Sequence, residues 1–93
     1  YMIDTNMNKY LVEFVGTLFF IYIILAVGQP LAIGAALVIA ILIGGKISGG
    51  NFNPAVTIAM TVAGKSEQKD MLPYILAQVS GGLLALELYK RKF

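Results

Sequence analysis

Few residues in this 93-residue chain are able to do chemistry, and their types exclude most of it. Histidine and cysteine are both absent. That removes the usual general base, the reactive thiolate and the commonest metal ligands together. The carboxylates Glu13, Glu67, Asp70 and Glu87 have no spacing that suggests paired acid and base work, and no nucleophile–base arrangement accompanies them. An enzyme is not expected, nor a cofactor or a metal. What remains is "GGKISGGNFNPAVTIAM", residues 44 to 60, where four glycines and a proline interrupt an apolar chain. Its chemistry is that of hydrogen bonds: backbone carbonyls, backbone N–H groups and two side-chain amides.

Read residue by residue, the break suits a passing neutral solute. Glycines let Gly49-Gly50-Asn51-Phe52 adopt conformations that other residues resist, and the carbonyls of that stretch offer a ladder of acceptors. Asn53 stands where a helix N-cap belongs, with Pro54 at the first helical position. Its side chain caps free N–H groups while its own amide N–H is left to point into a lumen. The short helix that follows presents its positive dipole end, which repels cations and protons. The competing reading is an ordinary loop followed by an amphipathic surface helix, but residues 54–63 carry no cationic face.

The surrounding elements must hold that break inside a membrane. The chain is 58% hydrophobic and 13% charged, with a mean hydropathy of +0.79. Its apolar residues come in blocks rather than in an amphipathic rhythm, so lipid is the expected solvent. Three spans are expected, at about 10–27, 31–47 and 71–89, with a broken loop at 48–53 and a half-length helix at 54–63. "GQP" at 28–30 makes a tight turn, so the first two spans are antiparallel neighbours. A signal peptide is the alternative for the first span, although the apolar run is longer than a normal signal-peptide core. Ala36, Ala40 and Gly44 recur every fourth residue, as do Gly45 and Gly49, a pattern that allows close helix approach but is also common in membrane helices generally. Pro73 is placed in the first turn of the last span. Residues 1–8 read as a loose polar tail, with Tyr1 ahead of Met2 as a trimmed or added end, "GKSEQKD" at 64–70 as a solvated loop, and 91–93 as a basic interfacial end. A net charge of +2 gives no reason to expect nucleic acid.

"SGGNFNPAVT" resembles the first signature loop of the aquaporin and glycerol-facilitator family, the major intrinsic proteins. "EFVGT" at 13–17 is similar to that family's first helix, and "YILAQVSGGLLA" at 74–85 to its third. The resemblance implies an all-α integral membrane protein: three transmembrane helices plus one re-entrant half-helix, one aquaporin-type repeat. It implies Asn53 as the midplane donor, Pro54 and Ala55 as the lock on the half-helix end, and the carbonyls of Gly49, Gly50 and Asn51 as the acceptor ladder. Glu13 then matches a buried glutamate that shapes the broken loop; a carboxylate reaching toward headgroups is its alternative. Gln78 would need a polar partner within the bundle. The position of the family's filter aromatic falls on Ile33, and Val56 stands where the second repeat would have arginine, so the charged, narrow filter is absent.

The function implied is a passive channel for water or small uncharged solutes. One repeat does not close a pore, so two inverted copies would pair as a homo-oligomer, with a tetramer of pairs as one such assembly. Lys9, Lys46, Lys65 and Lys69 lie toward one side and Lys90, Arg91 and Lys92 toward the other, a near-balance that permits both orientations. The alternatives are a non-conducting helical scaffold and one half of a hetero-paired channel.

Overall fold

The computed structural model describes residues 5–91, which form four helices and no strand. They are α1 (Thr5–Ala26), α2 (Pro30–Ser48), α3 (Pro54–Val62) and α4 (Gln68–Arg91). At about 1.5 Å per residue, α1, α2 and α4 each approach or exceed 28 Å, while α3 reaches only about 14 Å, half of a hydrocarbon core. Three of the helices, α1 from Met7 onward, α2 and α4, are apolar and long enough to cross a membrane.

The turns follow from their residues. After α1 the N–H groups of Val27 and Gly28 both return to the Ile23 carbonyl, with Gly28 at a φ of 72°. Pro30 then opens α2 behind an extended Gln29. Gly49, at a φ of 90°, caps the far end of α2 by donating to the Gly45 carbonyl.

Small residues set the helix spacing. On α2 the buried positions are Ala36, Ala40, Gly44 and Ser48, every fourth residue, and α1 is the helix that α2 packs against. Gly81 brings α4 onto α1 so closely that a Cβ there would lie 2.5 Å from the Phe14 carbonyl oxygen. The short helix α3 rests on α4. Among the described residues the interior is more polar than apolar. Glu13, Thr17, Ser48, Asn51, Thr57, Asp70 and Gln78 are buried, against Ala36, Ala40, Phe52, Tyr74 and Ala85. Leu31, Leu42, Ile43 and Val62 are all more than 70% exposed. This inversion suits a chain whose solvent is lipid.

Two boundaries differ from the sequence reading. Helix α1 begins at Thr5, so residues 5–8 are not a loose tail; residues 1–4 and 92–93 lie outside the described residues. No glycine or proline interrupts residues 5–9, and Lys9 and Tyr10 fasten that end of α1 to Asp70 of α4 at 2.7 and 2.8 Å. The same anchorage starts α4 at Gln68 rather than 71, which reduces the 64–70 loop to residues 63–67 and places Pro73 sixth in the helix instead of in its first turn. At the other end Glu87 pairs with Lys90 and Arg91 and carries α4 to residue 91.

Candidate functional site

The site is built around Glu13, which is fully buried on α1. Its Oε2 accepts from Ser48 Oγ at 2.7 Å and from the Asn51 N–H at 3.1 Å. Its Oε1 accepts from the Phe52 N–H at 2.7 Å and from Gln78 Nε2 at 2.8 Å. The N–H of Gly50 turns the same way, onto Ser48 Oγ at 3.1 Å. Two successive backbone donors therefore converge on the Glu13 carboxylate, and a third, from Gly50, on the Ser48 hydroxyl that itself donates to it, a concave cluster of N–H groups suited to a carboxylate. A buried carboxylate in a membrane needs such partners, and here hydrogen bonds supply them.

That inward pull has a conformational consequence. Gly49, Gly50 and Phe52 all have positive φ, at 90°, 65° and 53°. Glycine adopts this readily; phenylalanine does not. Phe52 is held there by its bond to Glu13 and by its ring, which fills the space that a side chain at Gly16 would occupy. The N–H groups of residues 50–52 are thus spent on Ser48 and Glu13. Among the described residues the carbonyls of Gly49, Gly50, Asn51 and Phe52 accept no hydrogen bond. Gly49 is exposed and Gly50 half-buried, whereas Asn51 and Phe52 are buried, at 7% and 2%. The open part of the loop is therefore its first half, and the Phe52 side chain belongs to the core.

Asn53 caps α3. Its extended backbone precedes Pro54, and its Oδ1 accepts the Ala55 N–H at 2.7 Å. Asn53 and Ala55 are exposed and Pro54 is half-buried. Asn53 and Pro54 line an open cavity of about 290 Å³ together with Thr17, Phe20 and Gln78. Two buried atoms of that lining, Thr17 Oγ1 and Gln78 Oε1, have no hydrogen-bond partner among the described residues. Ile33 is not part of this cavity. It sits half-buried in the first turn of α2, roughly 22 Å along the helix from Ser48.

The structure thus brings Glu13, the 49–52 loop and Asn53-Pro54-Ala55 together and leaves Ile33 apart. It also adds residues that sequence reasoning passed over. Thr57 Oγ1 accepts from Asn51 Nδ2 at 3.1 Å and from Gln78 Nε2 at 2.7 Å, which ties α3 to the loop and to α4. Tyr74 donates to the Ser48 carbonyl at 2.7 Å. The available signal was spacing: Asp70, Tyr74 and Gln78 recur every fourth residue along one side of an apolar helix.

Comparison with known proteins identifies the family. The sequence profile described as "Major intrinsic protein" matches residues 3–92. The chain is 42% identical over 88 residues to the glycerol uptake facilitator protein-like 6 of Lactiplantibacillus plantarum, covering 85% of this chain and 41% of that protein. Aquaporin Z of Brucella melitensis is 41% identical over 95 residues, with the same coverages of 85% and 41%. Aquaporin Z of Photorhabdus laumondii is 48% identical over 59 residues, covering 63% of this chain and 26% of that protein. The chain thus spans about two fifths or less of the length of these curated relatives. No solved structure matches it significantly. With a matching profile over nearly its whole length and three apolar helices long enough to span a bilayer, the chain belongs to the major intrinsic protein family and is a multi-pass integral membrane protein.

Proposed function

We propose that the chain contributes half of a passive channel for water or small uncharged solutes, and that two copies in opposite orientations complete the pore. The observation that carries this reading is Asn53, which caps a half-length helix, opens onto a cavity and follows a loop whose backbone donors are spent inward, on Ser48 and Glu13. A solute on the open side would meet the Asn53 amide and the free carbonyls of Gly49 and Gly50 in succession, donor then acceptors. The nine-residue α3 presents its N-terminal dipole to the same space, unfavourable to cations. The unpartnered Thr17 Oγ1 and Gln78 Oε1 support incompleteness, because buried polar atoms in a finished membrane interior are normally paired.

The test is osmotic shrinkage of liposomes containing only this chain, followed by stopped-flow light scattering. Water flux well above empty vesicles, altered by Asn53→Asp, is the expected result. Flux equal to empty vesicles with insertion verified would overturn pore formation by this chain alone. Tag accessibility at the C-terminus should report both orientations; a single orientation would overturn the inverted pair. Because the relatives are more than twice as long as the matched region, a complementary half on another polypeptide is the second reading. It predicts flux only when that half is co-reconstituted.

A further inference from the structure

Another cavity lies behind α3, on the side where that helix meets α4 and open toward the turn between them, and the pore reading makes no use of it. It is a cavity of about 70 Å³ walled by Asn51, Thr57, Thr61, Asp70 and Tyr74. The exposed Glu67 and half-buried Ser66 stand at its solvent end. The deep end is sealed, with Thr57 at 1% exposure.

The polar valences of this wall are only partly used. Thr57 Oγ1 accepts two amide N–H groups, so its hydroxyl hydrogen remains to be donated, and no acceptor for it occurs among the described residues. Tyr74 donates to the Ser48 carbonyl, but its oxygen accepts nothing among the described residues, and neither does Asn51 Oδ1. A polar cavity of this size has room for about two waters at about 30 Å³ each, and a buried water needs 2–4 polar partners. The walls supply them.

We propose that this cavity is a water-binding site, filled from the α3–α4 turn and separate from the wet space at Asn53. Gln78 is the partition. Its Nε2 bonds to Thr57 Oγ1 at 2.7 Å and to Glu13 Oε1 at 2.8 Å close the deep end, while the same residue lines the cavity at Asn53 on its other side. Water entering behind α3 stops at this amide. The site hydrates the hydrogen-bond network that fixes the loop without offering a route around Asn53. It does not depend on the pore reading, since it lies within a single chain.

Water-edited solid-state NMR of the full chain in bilayers tests this, reading how quickly water magnetisation reaches assigned side chains. In the unmodified chain, Thr57 and Tyr74 should build up at rates close to Ser66 and roughly fivefold or more faster than Ala36 and Ala40, which are buried against α1. Thr61→Leu fills the cavity and should slow Thr57 and Tyr74 to the rate of Ala36 while Ser66 is unchanged. Build-up at Thr57 and Tyr74 as slow as at Ala36 in the unmodified chain would overturn the proposal. Fast build-up that persists in Thr61→Leu would also overturn it, because water would then be arriving from the Asn53 side. If that variant does not fold, Ser66→Trp blocks the mouth instead, and the unmodified measurement stands by itself.

Discussion

Replacing Glu13 by glutamine keeps the shape of the side chain and changes one oxygen from acceptor to donor. The geometry decides which one. Placing the new NH2 at the Oε1 position would set it against the Phe52 N–H, which has no freedom to accept, and against Gln78 Nε2, which could yield only by flipping the Gln78 amide away from its bond to Thr57. Placing it at the Oε2 position meets Ser48 Oγ, a hydroxyl able to rotate and accept, and the Asn51 N–H, which is not. The second orientation wins and leaves one buried backbone donor orphaned. An orphaned donor costs about 1–3 kcal/mol, and the two bonds kept at Oε1 each weaken by roughly 0.5–1 kcal/mol when the acceptor loses its charge. Relief of burying a charge returns part of this, so the net loss is about 2–4 kcal/mol, held locally in the loop. That corresponds to an opening equilibrium raised by about 30-fold to 1,000-fold. Amide hydrogen exchange in nanodiscs reads it directly at Asn51 and Phe52, with the α1–α4 contact around Gly81 as the internal reference. Exchange at Asn51 within threefold of the unmodified chain would refute the reasoning, since Glu13 would then not be what holds the loop.

Gly81→Leu should separate α1 from α4, because even a Cβ would lie 2.5 Å from the Phe14 carbonyl and 3.2 Å from the Leu18 nitrogen, backbone atoms that do not yield cheaply. A loss of at least about 1–3 kcal/mol is expected in reversible unfolding in mixed micelles. Asp70→Asn removes the charge that Lys9 Nζ meets at 2.7 Å with both side chains mostly buried, and should lower stability by about 1–3 kcal/mol in the same assay, with Asp70→Leu costing more because Tyr10 also loses its acceptor. Asn53→Ala deletes the cap on the Ala55 N–H and should cost only about 1 kcal/mol, leaving helix content by circular dichroism unchanged, so that any larger fall in water flux reports a role beyond folding.

The apolar blocks, the turn at Gly28 and the Asn53-Pro54 cap were readable because each is local: a run of residues, a dipeptide, a capping side chain. The Ala36–Ala40–Gly44 stripe was readable as a helix face, and the structure buries it against α1. The partners of the polar residues were less legible, since Glu13 meets residues 35 to 65 positions away. A cost rule says that a membrane carboxylate needs donors; it does not say that Ser48, Asn51, Phe52 and Gln78 supply them. Asp70 reads as part of a loop because its neighbours Lys65, Glu67 and Lys69 look solvated, and its ion pair to Lys9 is invisible without the fold. Phe52 is the hardest case. Nothing in its type favours a positive φ, and only the notch at Gly16 and the Glu13 carboxylate on the far side of the sequence account for it.

The packing of α3 on α4 alone among the helices bears on how the chain enters the membrane. During synthesis α1 and α2 can pair as soon as both have emerged, since each offers the other a finished face. The half-helix has no such surface waiting: Gln78, which holds Thr57, lies 21 residues further on. Until α4 has emerged, a nine-residue, mostly apolar helix too short to span the bilayer must wait at its surface or within the insertion machinery. Release of a nascent chain between Val62 and Gln78 should therefore yield a hairpin of two helices with a tail open to protease, and the tail should become protected only after the last helix is inserted.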